Sequence, residues 1–592
     1  MLRILYIPIC LLLVSGCQSD SIPLSSQLAA ESATESSAEP DTGIASGAIV
    51  VTANSHATQA GVRILEAGGS ALDAAIAIQS VLSLVEPQSS GLGGGGFLVH
   101  FDAATKIIDV YEGRERAPAG GTAEMFLGED GTAMPFLEAK NSGLSIGVPG
   151  MVSMLALAHK DHGSLEWANL FDSAIELAET GFEVSPRLAG FLERFAQYIP
   201  SSLEEGPIGA YQYFYHAEGA VKETLVNPEY AATLNVIAAD ARAFYTGAIA
   251  EDIVEAAMAS PRAGSLALSD LSAYEAIKVE PLCLEYKENL VCGPPPPSSW
   301  LTVAMTLGIL ENVPRSLDEE SRLQDWTMVG EALRLAYADR DQYVADTEFV
   351  QVPVSGLLSK EYLQERAALV DAEIASTEIS YGDPWAYEGL EAVAYGHDTT
   401  LDMAGTTHFA VVDAQGNAVS LTASVESIFG STRMAGGMFL NNQLTDFART
   451  PTDESGIYVA NIVEPFKKPR SSMSPTIVLD EDGEFLLSSG SPGGTSIISY
   501  TLKTLVGILD WGLSPQEAVN LPNMVARGDT VRIESERASP ELIQALNDYG
   551  FNVQESAGEN SGLSTVLRKS DGTLEGGVDP RREGTIGIPN IE

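Results

Sequence analysis

Basic residues are scarce in this 592-residue chain: 33 Lys and Arg stand against 81 Asp and Glu, a formal charge of −48 at pH 7. A nucleic-acid binder needs a basic face to neutralise phosphates, so that class is excluded. The acidic excess selects no ligand; it describes a heavily solvated surface. Past the first residues no apolar run reaches the ~18 residues that a membrane-spanning helix needs. Histidine is sparse as well, with seven at positions 56, 100, 159, 162, 216, 397 and 408. Neither H-E-x-x-H nor a paired C-x-x-C spacing occurs, so neither a metal nor another cofactor is expected. His159 and His162 share a helical face but have no further ligands close in sequence, and read as solvated helix residues.

Cysteine is limited to four residues. Arg3, the apolar run from Ile4 to Val14 and the ending Val14-Ser15-Gly16-Cys17 have the layout of a secretory signal too short to span a bilayer. The ending resembles a bacterial lipobox, in which Cys17 carries lipid. Residues 1–17 are therefore expected to act as a lipoprotein signal, which also removes Cys10. Residues 18–46, rich in Ser, Ala, Glu and Thr, read as a flexible tether. The protein is expected to be exported, on the periplasmic side, touching a membrane only through that anchor. Cys283 and Cys292 flank Leu284 to Val291. Two short strands turning at Lys287-Glu288-Asn289 would bring the sulfurs together as a disulfide, with two buried thiols as the alternative.

The remaining 45% apolar composition, with 55 Gly and 30 Pro, is that of a large globular protein. Ile49 to Thr52 reads as a strand, Ala57 to Ala67 as a helix stopped by Gly68-Gly69, and Ser70 to Leu84 as a second, buried helix. Phe97 to Phe101 and Ile107 to Tyr111 read as strands joined by a turn. A largely helical region follows from Met151 to Ala375, including Glu331 to Val344. After residue 406 the pattern changes. Phe409 to Val412 and Ala418 to Thr422 flank Asp413-Ala-Gln-Gly-Asn417, a hairpin signal. Thr476 to Leu479 and Phe485 to Ser488 form another such pair, and helices are expected over Ser499 to Leu509 and Pro515 to Asn520. Sheets covered by helices on their outer faces follow from this order.

Two familiar patterns fail on context. Gly91 to Gly96 satisfies G-x-G-x-x-G, but a strand follows it where a dinucleotide site needs a helix. Gly143-Leu-Ser145-Ile-Gly147 satisfies G-x-S-x-G, but Val148-Pro149-Gly150 delays any helix to about Met151, so no nucleophile elbow forms.

Gly405-Thr406-Thr407-His408 is more informative. A Thr hydroxyl is a poor nucleophile without a base. Placed first in a chain, Thr gains a free α-amine of pKa ~7.7–8.0, which can serve as that base. Alone the signal is weak, because Thr-Thr at a strand start is commonly β-propensity. Its neighbours strengthen it. Thr406-Thr-His408, Leu440-Asn-Asn-Gln-Leu-Thr-Asp-Phe447, Pro469-Arg-Ser-Ser-Met-Ser-Pro-Thr476 and Gly490-Ser-Pro-Gly-Gly494 resemble the γ-glutamyltransferase (glutathione hydrolase) family in order and spacing. So do Glu86 to Gly96, Gly113-Arg-Glu-Arg-Ala-Pro118, Leu333-Arg-Leu-Ala-Tyr-Ala-Asp-Arg340 and Asp579-Pro-Arg-Arg-Glu-Gly584.

The resemblance implies a four-layer αββα sandwich of the amino-terminal nucleophile hydrolases, made as one precursor that cuts itself between Gly405 and Thr406. A large chain, 47–405 after the tether, and a small catalytic chain, 406–592, would then form a heterodimer. Thr406 is implied as the nucleophile toward γ-glutamyl amides such as glutathione, with water or an amino acid as acceptor. Gly493 and Gly494 are implied as oxyanion donors, and Ser424 as a hydroxyl beside Thr406. Thr422 shares the face of Ser424 and could do the same. Arg114, Ser471 and Ser472 match carboxylate-binding positions, and Gln443 and Asp446 match ammonium acceptors. A cephalosporin-acylase-like or poly-γ-glutamate-acting amidase with the same nucleophile is the alternative, and a noncatalytic surface protein a third. Three departures stand out. Position 426, commonly Asn in the family, is Glu426, which can still accept from an ammonium. Residues 447–470 look short for a lid, which predicts a more open cleft. Trp300-Leu301 replaces a Gly-Gly pair, which predicts altered packing nearby.

Overall fold

The computed structural model describes residues 43–196, 199, 210–558 and 560–591. The expected signal, Cys10, Cys17 and most of the expected tether lie outside those residues. The tether gives way before residue 46, since Ile44–Ala45 already pairs with Leu574 and Glu575.

Two seven-stranded antiparallel sheets form the centre. Fourteen strands in chain order build them: β1 (Ile44–Ala45), β2 (Ile49–Thr52), β3 (Gly95–Asp102), β4 (Ile107–Gly113), β5 (Ile277–Val279), β6 (Leu282–Tyr286), β7 (Asn289–Gly293), β8 (Gly405–Val412), β9 (Ala418–Glu426), β10 (Thr476–Leu479), β11 (Phe485–Gly490), β12 (Ser564–Arg568), β13 (Leu574–Val578) and β14 (Thr585–Gly587). One sheet runs β14-β2-β8-β9-β3-β4-β5 and the other β1-β13-β12-β11-β10-β7-β6. Both therefore use strands from before and after residue 405.

Period-2 alternation fixes which side of each strand meets which layer. Ala410 and Val412 of β8 face Ile477, Leu479 and Phe485 of the opposite sheet, a core between the sheets. Phe409 and Val411 point the other way, onto helices α1 (Ser55–Glu66), α2 (Ala71–Val85) and α3 (Met151–His162). The outer face of the second sheet is covered by α4 (Trp300–Asn312), α5 (Arg322–Tyr343) and α6 (Ile497–Leu509). The layers are thus α, β, β, α.

Local chemistry explains the element ends. Ser70 caps α2 through a reciprocal pair with Asp73, so the helix starts one residue later than the hydrophobic pattern suggested. Arg322–Tyr343 extends the Glu331 segment by more than two turns towards its N-terminus. The region from 151 to 375 is less helical than expected, because β5, β6 and β7 interrupt it. Cys283 and Cys292 are directly opposed on β6 and β7, and their sulfurs are bonded. Gly143–Ser145 is a 3₁₀ turn whose Ser145 hydroxyl donates to the carbonyls of Lys140 and Ser142, a structural use. The glycine run before β3 is a packing device: a Cβ on Gly94 would lie 2.0 Å from the Ser424 carbonyl oxygen.

Candidate active site

Thr406 is the second residue of β8, a strand hydrogen-bonded on both sides, by β2 and β9. Thr406 pairs with Ser424, whereas Gly405 pairs with Glu426, so the register shifts across the Gly405–Thr406 bond. Val425 is the extra residue of this bulge. Glu426 adopts φ +78°, a conformation that costs a non-glycine residue free energy. The most irregular point of the central strand pair therefore lies opposite the bond expected to break.

Ser424 joins the two sides of that bond. Its Oγ is 3.1 Å from Thr406 Oγ and 3.0 Å from Gly405 O, and it accepts from the Glu426 N–H at 2.9 Å. A hydroxyl has one proton. The carbonyl can only accept and the amide can only donate, so the Ser424 proton goes to Gly405 O and Thr406 donates to Ser424. Thr422 does not share this role: its Oγ1 lies 2.9 Å from His408 Nδ1. His408 is fully buried and pushed down to about 3 by burial, which keeps the ring neutral. Arg582 Nη1 donates to Thr406 O at 2.9 Å, a further anchor on this strand.

Arg114 is buried among acceptors. Its Nη2 donates to Asp446 Oδ2 at 2.7 Å and to Arg470 O at 2.6 Å, and its Nε donates to Pro469 O at 3.1 Å. Gln443 Nε2 donates to the same Asp446 oxygen at 2.7 Å. Gln443 Oε1 and Asp446 Oδ1 are buried without a hydrogen-bond partner. Burial, with repulsion from Asp402 and Glu426, holds the Asp446 carboxyl well above the usual carboxylate range. Burial also raises Glu426, whose oxygens accept from Met403 N at 2.9 Å and from Ser427 Oγ and Asn442 Nδ2. Two carboxyls held partly against ionisation gain most from a cation placed between them.

Ser472 Oγ accepts from Arg340 Nη2 at 2.7 Å, and Ser471 is held by its backbone against Pro297 and Ser299. Trp300 accounts for the altered proline-rich segment. Its Nε1 donates to Thr476 Oγ1 at 3.0 Å, and a Cβ on Gly293 would come within 2.2 Å of its ring. The Gly493-Gly494 turn before α6 meets main chain: a Cβ on Gly494 would lie 2.3 Å from Asp402 O, and Thr495 N donates to that oxygen at 3.2 Å. In the uncut chain this turn therefore faces the carbonyls of Asp402 and Met403.

Thr406 is 2% exposed, so among the described residues no open cleft of the kind expected from the short 447–470 segment reaches it. The residues before Gly405 lie against the site, with Met403 N donating to Glu426 Oε1 and Asp402 O accepting from Thr495 N. Gly396 N donates to Tyr458 O, and Asn461 Nδ2 donates to Asp398 Oδ2, tying that stretch to the 447–470 segment. Sequence reasoning assigned no role to Arg340, Arg470 or Arg582, although all three lie inside the matched motifs. Asp398 and Asp402 lie outside any motif, and nothing in their pattern marked them.

The profile of the gamma-glutamyltranspeptidase family matches residues 57–588. The glutathione hydrolase proenzyme of Bacillus subtilis (strain 168) is 34% identical over 550 residues, covering 91% of each chain. That of Escherichia coli (strain K12) is 35% identical over 552 residues, covering 90% of each. Among solved structures, the cephalosporin acylase from Bacillus halodurans matches with a TM-score of 0.79 at 26% identity, covering 94% of this chain and 98% of its own. With the family profile matching residues 57–588 and these relatives covering about nine-tenths of the chain, the protein belongs to the gamma-glutamyltranspeptidase family.

Proposed function

We propose that this protein is a γ-glutamyl hydrolase and transferase that cuts itself at Gly405–Thr406 and then works through a γ-glutamyl ester on Thr406. The observation that carries the reading is the Ser424 hydroxyl, 3.1 Å from the nucleophile oxygen and 3.0 Å from the Gly405 carbonyl oxygen. In the first step Thr406 Oγ attacks the Gly405 carbonyl carbon, and the hydroxyl proton finishes on the departing amide nitrogen. Charge gathers on Gly405 O, where Ser424 already donates. Water then hydrolyses the ester, leaving a Gly405 carboxylate and a Thr406 α-amine.

That amine next serves as base for Thr406 Oγ and delivers the proton to the leaving amine of a γ-glutamyl amide. Arg114 supplies a planar fork for the substrate carboxylate. Ser471 and Ser472 add donors, and Gln443, Asp446 and Glu426 accept from the ammonium. The Gly493-Gly494 amides supply oxyanion donors once the residues before Gly405 move away. Water or an amino acid releases the acyl group from a site shared by the large and small chains. Glutathione is the substrate class suggested by the relatives. The lipobox-like ending at Cys17 supports export to the periplasmic side and attachment through lipid.

The test pairs amino-terminal sequencing with a Thr406→Ala variant. Two chains, one starting at Thr406, are expected from the parent, and one inactive chain from the variant. Two chains from the variant would overturn the cleavage assignment. The likeness to a cephalosporin acylase favours one second reading, a glutaryl-type amidase, and relative turnover of γ-glutamyl-p-nitroanilide and glutaryl-p-nitroanilide separates the two.

A further inference from the structure

Three guanidiniums gather around Asp341 on the Arg340 side of Ser472. Arg340 Nη1 lies 2.9 Å from Asp341 Oδ1, and its Nη2 lies 3.4 Å from Asp402 Oδ2. Arg470 Nη2 lies 3.0 Å from Asp398 Oδ2, and its Nη1 lies 3.9 Å from Asp341 Oδ1. Arg527 Nη2 lies 2.7 Å from Asp341 Oδ2. Three cations thus meet three carboxylates, but only Asp341, on α5, belongs to the permanent scaffold. Asp398 and Asp402 sit on the stretch that ends at Gly405. Asp402 Oδ1 and Arg470 Nε and Nη1 are buried with no hydrogen-bond partner, so this pairing is incomplete.

Resting on the cleavage reading above, the consequence is electrostatic. Once cut, the stretch ending at Gly405 is free at one end. If Asp398 and Asp402 withdraw, the carboxylate left to the buried Arg340 and Arg470 is that of Asp341, shared with Arg527, and Arg340 keeps besides it the neutral hydroxyls of Ser299 and Ser472. A buried charge without a partner is strongly unfavourable, so the vacated place selects an anion. We infer that Arg340 and Arg470 form a second carboxylate subsite on the acyl side of Thr406, filled before cleavage by Asp402 and Asp398. In the cut enzyme it takes a carboxylate of an acidic acyl donor longer than one glutamyl residue.

The side follows from chain direction. The Gly405 carbonyl is the acyl group presented to Thr406, so residues upstream of it run where the acyl portion of a donor runs. The same stretch also shows how a longer donor would sit. Met403 presents an amide N–H to Glu426 Oε1 at 2.9 Å, and the Asp402 carboxylate lies beyond it on Arg340. A donor extended through its amine would offer that same pair, an amide N–H and a carboxylate. The carboxylate at position 426 accepts from either an amide or an ammonium.

The test uses the cut enzyme and two synthetic peptides of residues 397–405, one native and one with Asp402→Asn, with binding read by calorimetry. The native peptide is expected to bind at least tenfold more tightly, and the difference is expected to shrink below threefold in an Arg340→Gln enzyme. A matching preference is expected in kcat/KM for γ-glutamyl-γ-glutamyl-p-nitroanilide over leucyl-γ-glutamyl-p-nitroanilide, which keeps the same γ-glutamyl group at the bond that breaks. Equal binding of the two peptides overturns the subsite, as does a difference that survives Arg340→Gln. Failure of the underlying cleavage reading shows separately, as a single uncut band on a gel before any peptide is added.

Discussion

Replacing Ser424 by Ala removes one oxygen that serves three partners: Thr406 Oγ, Gly405 O and Glu426 N. The cost divides into two parts. In the resting chain the Gly405 carbonyl and the Glu426 amide lose their Ser424 contacts in a buried setting, at about 1–3 kcal/mol for each group left unsatisfied. In the transition state for cleavage, negative charge builds on Gly405 O, and loss of one preorganised donor typically slows such steps by about 10²–10³. The assay is the conversion of one band into two on a denaturing gel, with thermal unfolding of the uncut protein measured in parallel. Ser424→Ala is expected to slow conversion by about 10²–10³. Ser424→Thr, which keeps the hydroxyl, is expected to stay within about tenfold of the parent. If Ser424→Ala converts within threefold of the parent while folded, the carbonyl is polarised by another group and this account of cleavage is wrong.

Three further outcomes follow from the same geometry. His408, held neutral down to about 3 by burial, refuses a proton that the unfolded chain accepts near pH 6.5. Its contribution is intact above the unfolded pKa and is lost as pH falls from there towards about 3. Between pH 7 and 5 the parent should lose about 2 kcal/mol more stability than His408→Asn in urea unfolding, and equal slopes would refute this. Replacing Cys283 and Cys292 by Ser opens a short loop, and the chain-entropy relation gives a loss of about 2–3 kcal/mol; an unchanged urea midpoint would refute the assignment. Arg114→Lys keeps the charge but loses the planar fork that reaches Asp446, Pro469 and Arg470. It is expected to raise KM for γ-glutamyl-p-nitroanilide at least tenfold, with a smaller change in kcat.

The layers of the sandwich were legible because strand and helix periods differ, and because each sheet has one face on helices and one on its partner. Family spacing singled out Thr406 with Ser424, and Arg114 with Gln443 and Asp446, and each of these sets is joined by hydrogen bonds in the structure. What remained hidden depends on contacts between residues far apart in sequence. The expectation that Thr422 would serve Thr406 used correct strand alternation but could not foresee that His408 sits opposite it. Asp398 and Asp402 belong to no local pattern, and their meaning comes from guanidiniums on α5 and beside Ser471. The open cleft was inferred from a short 447–470 segment, whereas Thr406 is buried and the chain's own stretch before Gly405 is bonded to that segment. A loop length carries no record of what lies across it.

One set of atoms serves two reactions, and the bulge explains how. A regular strand pair would leave the Gly405–Thr406 bond in a plain ladder, with Ser424 facing Thr406 alone. The extra residue Val425 shifts Gly405 onto Glu426, and Ser424 Oγ then spans the nucleophile and the carbonyl before it. In the proposed mechanism Gly405 leaves after cleavage and a substrate carbonyl takes its place, met by the Ser424 hydroxyl that already accepts from the Glu426 amide. The strained φ of Glu426 is the backbone form that this bulge requires. The same turn aims its carboxylate at the amide of Met403, the place proposed for a substrate nitrogen. On the proposed reading, self-cleavage is the first turnover of the site on a tethered acyl donor, and the geometry of that donor indicates what the cut enzyme would accept.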